Sequence, residues 1–228
     1  ACAPGGTCPA PAPERADTFL PSGRMALGAN YWASHAATEM WRKWDAKAVE
    51  EDLRVLAANG FRLLRVFPNW ADFQPIHACY LSANNFDKVN ETRLFDAEEP
   101  LPDTPCGRAG VDERMVVRFE AFCDLAEKYG IRLIVPLLTG QMTFRNYIPP
   151  ALANRNPFSD PYALMWEGRY LECMVSRLKA KKAIVAWESG NEARILTAFT
   201  GRDPRLAATV ITPYSNYLGG FASGAAQN

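Results

Sequence analysis

Two apolar patterns alternate along the chain. Near-continuous apolar runs occupy Met25 to Asn30, Phe61 to Phe67, Ile131 to Leu138 and Ala183 to Glu188. Short runs of this kind, bounded by Gly and Pro, predict strands buried on both faces, as in a parallel sheet covered by helices. Between them the spacing turns helical. Residues 46–59 place Val49, Leu53, Leu56 and Ala57 on one stripe. Asp45 is the expected N-cap, and Gly60 stands where a left-handed residue closes a helix. A second helix is expected over residues 113–129, capped by Asp112 and ended by Gly130. A third begins at Asp160 and Pro161, an N-cap followed by Pro at the first helical position. It is expected to turn Leu164, Leu171, Met174, Val175 and Leu178 inward. The stretches Gly60–Leu64 and Gly130–Ile134 repeat one pattern, a helix-ending Gly followed by an apolar strand.

Four strands with three intervening helices indicate an α/β architecture. A doubly wound nucleotide-binding sheet would carry a Gly-rich turn after an early strand. Here that turn reads Tyr31, Trp32, Ala33, Ser34, His35, which is too bulky for a phosphate to approach the backbone. A (β/α)8 TIM barrel is therefore the favoured fold, with function in the loops after its strands. Residues 1–17 are rich in Pro and Gly and read as a tail. The barrel portion is expected over residues 18–212, with a long insertion at 76–110, and residues 213–228 read as a loose end.

Composition narrows the function. Of 228 residues, 25 are basic and 25 acidic, so the net charge is zero. A nucleic-acid partner is not expected, because phosphate neutralisation needs a basic surplus. No apolar run approaches the roughly 18 residues that span a bilayer, and no signal peptide is read at the start. The only histidines are His35 and His77, without metal-ligand spacing, so neither metal nor other cofactor is expected. Cys79 and Cys106 bracket the insertion and are expected to form a disulfide in a secreted or cell-envelope protein. Cys2 and Cys8 could pair within the tail, and Cys123 and Cys173 read as buried thiols.

In a barrel, the C-terminal strand ends carry the chemistry. Those ends supply Asn30, Trp32 and His35, then Arg65, Asn69, Trp70 and Asp72, then Thr139, Gln141 and Phe144, and finally Glu188 to Glu192. Aromatic faces with amides and carboxylates suit a carbohydrate substrate better than a phosphate or a lipid. Trp187 to Glu192 resembles the fourth-strand signature of the retaining glycoside hydrolases of clan A, the cellulase and mannanase type of family five. Gly28 to Trp32 and Phe61 to Trp70 resemble that group's first and second strands. The resemblance implies hydrolysis of β-glycosidic bonds, in β-mannan or β-glucan above all. It implies that Glu192 is the acid/base, that Asn191 binds the sugar 2-hydroxyl, and that Arg65 orients a carboxylate, most naturally the nucleophile. Trp32 and Trp70 are candidate sugar platforms. Glu188 reads as a buried partner of Arg65 or of another base inside the barrel, rather than as a catalytic group.

The retaining route needs a second carboxyl about 5–5.5 Å from the first. In the clan it sits on the seventh strand, yet four more βα units take on the order of 120 residues. The chain ends at Asn228 and has no carboxylate after Asp203. The resemblance thus implies the N-terminal portion of a (β/α)8 TIM barrel, about four βα units and incomplete, and three readings stay open: part of a barrel enzyme, which is favoured, a half-barrel that pairs with a second chain, or a non-catalytic sugar-binding relic. This chain alone is expected to be inactive, and its exposed half-barrel edges are expected to promote self-association.

Overall fold

The computed structural model describes residues 25–79, 91–96, 99–143 and 145–191. In chain order they form β1 (Leu27–Tyr31), α1 (Ala46–Ala58), β2 (Phe61–Val66), the short α2 (Trp70–Phe73), β3 (Ile76–Cys79), β4 (Glu91–Asp96) and β5 (Glu99–Pro100). There follow the short α3 (Pro105–Arg108), α4 (Glu113–Lys128), β6 (Arg132–Leu138), β7 (Gln141–Met142), β8 (Arg145–Asn146), a 3-10 turn (Pro150–Leu152), α5 (Pro161–Leu178) and β9 (Ile184–Gly190).

The helix ends form where the residue chemistry predicts them. Asp45 accepts hydrogen bonds from the backbone N–H groups of Lys47 and Ala48, at 2.9 and 3.2 Å. Asp112 and Asp160 cap α4 and α5 in the same way. Gly60 and Gly130 close α1 and α4 with φ of 85° and 66°, a region that L side chains rarely adopt. On α5 the inner stripe is Ala163, Trp166, Tyr170, Met174 and Leu178. Leu164, expected inside, lies one residue off that stripe and is exposed.

Four strands form one parallel sheet in the order β1-β2-β6-β9. Spatial order follows chain order without reversal. A doubly wound sheet would change direction at a switch point, so the winding is that of a barrel wall. Right-handed crossovers that all step the same way put their helices on one face. Accordingly α1 packs beside α4, and α4 beside α5. Leu64, Val66, Leu133, Val135 and Leu137 point into this helix layer and are buried. Leu63, Arg65, Ile134, Ala186 and Glu188, on the opposite face, are only half-buried. That is the face a closed barrel turns inward. On β9, Val185 and Trp187 are exposed.

Aromatic side chains dominate the helix-side core. Trp41 is fully buried, donates its indole N–H to the Phe67 carbonyl at 2.6 Å, and packs against Phe73, Phe119 and Phe122.

The insertion after β2 is tied down at several points. β3 and β4 pair antiparallel, and β5 extends that small sheet. The buried amide of Gln74 accepts from the Trp70 indole and donates to the carbonyls of Ala109 and Trp166, each at 2.8–2.9 Å. Arg42 bridges Asp72 and Asp96, and Arg114 bridges Asp96 and Asp112. Cys106 does not pair with Cys79 as expected. It forms a disulfide with Cys173 on α5, with Cα atoms 5.4 Å apart. The bridge therefore fastens the end of the insertion to a helix, rather than closing the insertion on itself. Cys123 is a buried free thiol, pushed up to about 12 by burial. Among the described residues, no helix is long and apolar enough to cross a membrane.

Glu167 is a buried carboxyl on α5 whose Oε1 has no hydrogen-bond partner among the described residues. Burial raises its pKa from 4.5 to about 7. Below pH 4.5 both folded and unfolded chains hold this proton. Between pH 4.5 and about 7 the unfolded chain releases it while the folded chain keeps it, so stability falls as pH rises. The loss should reach about 3 kcal/mol at neutral pH. Urea unfolding across that range should show Glu167→Gln with a flatter pH dependence than the parent chain. Parallel curves would show that the carboxyl carries no such penalty.

Candidate active site

Three side chains meet at the C-terminal end of the sheet, on its inner face. Arg65 projects from β2, with Ile134 of β6 and Ala186 of β9 in register beside it. Its guanidinium reaches across β6 to β9. Nε and Nη2 donate to Glu188 Oε2 at 2.8 and 2.5 Å. Nη1 donates to Asn191 Oδ1 at 2.9 Å. The other end of the Asn191 amide donates to the Gln141 backbone carbonyl at 3.0 Å and lies 4.0 Å from Met142 Sδ. Asn191 is thus held from both sides. The ion pair is part-exposed, so solvent screening keeps each bond on the order of 1 kcal/mol, and its main effect is geometric.

An aromatic stack supports this cluster. The guanidinium carbon of Arg65 lies 4.7 Å from the centroid of the Phe67 ring. Trp32 stacks on Phe67, with centroids 5.2 Å apart and planes at 16°. The loop that carries Trp32 is pinned by Asp52, which accepts from Tyr31 Oη at 3.0 Å and from the Ser34 N–H at 2.8 Å. Burial and the Asp52 carboxylate push the Tyr31 phenol above its ordinary range, so it stays a neutral donor.

Other candidates have structural roles. Trp70 is 2% exposed and its indole N–H is taken by Gln74, so it presents no face to a sugar. It opens α2, which turns its ring into the core rather than toward the strand ends. Asn69 and Asp72 are buried and bonded to each other at 3.0 Å. Thr139 donates to the Pro136 carbonyl, and its own carbonyl accepts from the Trp70 N–H, extending the sheet one step. His35 Nε2 bonds the Lys43 carbonyl at 2.8 Å. Glu192 and Phe144 lie outside the described residues. No group of three His, Cys, Asp or Glu among the described residues could hold a metal ion.

Two contributors carry no residue-type signal. Gln141 acts through its backbone, and Gly190 acts through what it lacks. A Cβ on Gly190 would fall 2.8 Å from the Leu138 carbonyl oxygen, so the close approach of β9 to β6 before Asn191 requires glycine. Gly190→Ala should lower stability by about 1–3 kcal/mol. It should also shift the Asn191 side-chain amide resonances in a 15N spectrum. An unchanged unfolding midpoint with unchanged resonances would show that the strands can part at no cost.

No protein-family model matches the chain, and no curated protein matches it in sequence. Solved structures do. A GH5_18 protein from Streptomyces cattleya, in complex with GlcNAc, superposes with a TM-score of 0.56 at 26% identity. The match covers 72% of this chain and 33% of that one. A variant of the same protein, in complex with Manβ1-4GlcNAc, matches at 25% identity and a TM-score of 0.53, with the same coverage. The exo-β-1,4-mannosidase from Opitutaceae bacterium strain TAV5 has a TM-score of 0.61 at 24% identity, over 80% of this chain and 27% of that one. The chain spans about a third of the length of these structures. In its strand order this chain is a partial (β/α)8 barrel that resembles the family five glycoside hydrolases of clan A.

Proposed function

We propose that the chain carries one wall of a β-mannoside site and the acid/base side of a retaining glycosidase centre. The observation that carries this reading is the fixed amide of Asn191, bonded to Arg65 and to the Gln141 carbonyl, directly before Glu192 in sequence. An amide oriented in advance can bind the sugar 2-hydroxyl, a contact that strengthens in an oxocarbenium-like transition state. Glu192 would then protonate the glycosidic oxygen and later take a proton from water. Glu188 supplies the anion that holds the guanidinium in place. β-Mannosides are the favoured substrates because the Streptomyces cattleya protein was solved with Manβ1-4GlcNAc. The Cys106–Cys173 disulfide supports an oxidising compartment, so the sugar would be met outside the cytoplasm.

Calorimetric titration of this chain with Manβ1-4GlcNAc tests the reading. Asn191→Ala should weaken binding about tenfold, the loss expected for one good hydrogen bond. Glu192→Gln should keep the affinity, since the amide copies the shape of the protonated acid. Mannose release that disappears in Glu192→Gln would mark a hydrolase. Binding without release would mark a sugar-binding portion. Undetectable binding, or full affinity in Asn191→Ala, would overturn the proposed site.

A further inference from the structure

The ion pair of Arg65 leaves one freedom of its guanidinium unrestrained. Nε and Nη2 both end on a single oxygen, Glu188 Oε2. A fork that met both carboxylate oxygens would share their plane. Two bonds to one oxygen set the direction of the group but leave its plane free to tilt about that point. The Glu188 side chain is 36% exposed and stands on an edge strand of the described sheet, so packing does little to hold the carboxylate. A tilt would carry Nη1 off the Asn191 oxygen, 2.9 Å away, and would release the amide.

Phe67 supplies the missing restraint. It follows directly on β2, two residues after Arg65, and an extended chain sets both side chains on the inner face. Pro68 comes next and favours extended backbone in the residue before it. The Phe67 ring centroid lies 4.7 Å from the guanidinium carbon, within the range where a ring face attracts a cation. The ring is itself immobilised. Phe67 is 1% exposed yet lies outside the apolar cluster under the helices, so its burial belongs to the strand-end site. Its carbonyl accepts from the Trp41 indole, and Trp32 stacks on its ring. Tyr31 and Ser34, which flank Trp32 in the chain, both bond Asp52 of α1. A line of fixed contacts thus runs from α1 through Trp32 and Phe67 to Arg65. A leucine at position 67 would fill much of the same space. What it lacks is the negative ring face.

We infer that Phe67 is a positioning residue for the proposed chemistry: its ring face seats the Arg65 guanidinium, which then holds the Asn191 amide ready for the sugar 2-hydroxyl. The effect on sugar rests on the β-mannoside reading, whereas the effect on the amide does not.

The test changes the charge of the ring face while nearly keeping its shape. Trifluorophenylalanine incorporated at position 67 should weaken Manβ1-4GlcNAc binding about fourfold by calorimetry, and monofluorophenylalanine should give a smaller loss. Solvent exchange of the Asn191 side-chain amide protons, read in 15N spectra without sugar, should speed up in the same order. Phe67→Leu should lose at least as much affinity as the trifluoro form. Should Phe67→Leu fail to fold by circular dichroism, the fluorinated pair carries the test. Unchanged affinity together with unchanged amide exchange in the trifluoro form would overturn the role, because a ring that merely fills space would tolerate the fluorines. Undetectable binding by the parent chain would overturn the β-mannoside reading, and the amide exchange would still decide the role of Phe67.

Discussion

The guanidinium of Arg65 is the interaction on which the strand-end site depends. It begins on β2, passes over β6 and ends on two residues of the β9 segment, Glu188 and Asn191. A cation on the inner face of a sheet needs an anion close by, and Glu188 provides it. With its Nε and Nη2 so engaged, the planar fork leaves Nη1 aimed at one place, where the Asn191 oxygen sits. The amide then has only one workable orientation. A flip would set its NH2 against Nη1 and its oxygen against the Gln141 carbonyl, two repulsive contacts in place of two bonds. Electrostatics thus fix the one side chain that, in the proposed function, touches the sugar.

The rest of the described fold keeps these three strand ends still. The sheet is lopsided in burial. Its helix face carries the apolar core, with Trp41, Phe119 and Phe122 fully buried, and its other face carries the polar cluster. The insertion is fastened on the helix side, through Gln74, the Asp96 ion pairs and the Cys106–Cys173 bridge. Its anchors are therefore separate from the Arg65 cluster. A loop of this length costs conformational entropy to order, and a disulfide to α5 lowers that cost by restricting the unfolded chain.

The strand and helix framework was legible because local chemistry marks it. Asp45, Asp112 and Asp160 can satisfy free N–H groups only at helix starts, and Gly60 and Gly130 adopt a backbone conformation that suits helix ends. Glu188 was legible as the partner of an inward-facing base, with Arg65 one candidate, and only the sheet register shows that Arg65 is the one. Other features depend on three-dimensional placement that local pattern does not encode. Cysteine pairing is one, because Cys106 comes near Cys173 only through the packing of α5 on the insertion. The fate of Trp70 is another. A loop tryptophan and a core tryptophan look alike in sequence, and only the buried Gln74 amide shows which this is. The Gln141 carbonyl is a backbone feature that no residue type announces.

A double-mutant cycle on Arg65 and Asn191 tests the central claim most directly, with Manβ1-4GlcNAc affinity as the readout and circular dichroism as the folding control. If Arg65 acts by orienting Asn191, Arg65→Gln and Asn191→Ala should each weaken binding, and the double variant should bind no more weakly than the weaker single variant. Additive losses would contradict the account, because they would show Arg65 contributing to sugar binding independently of the amide it holds.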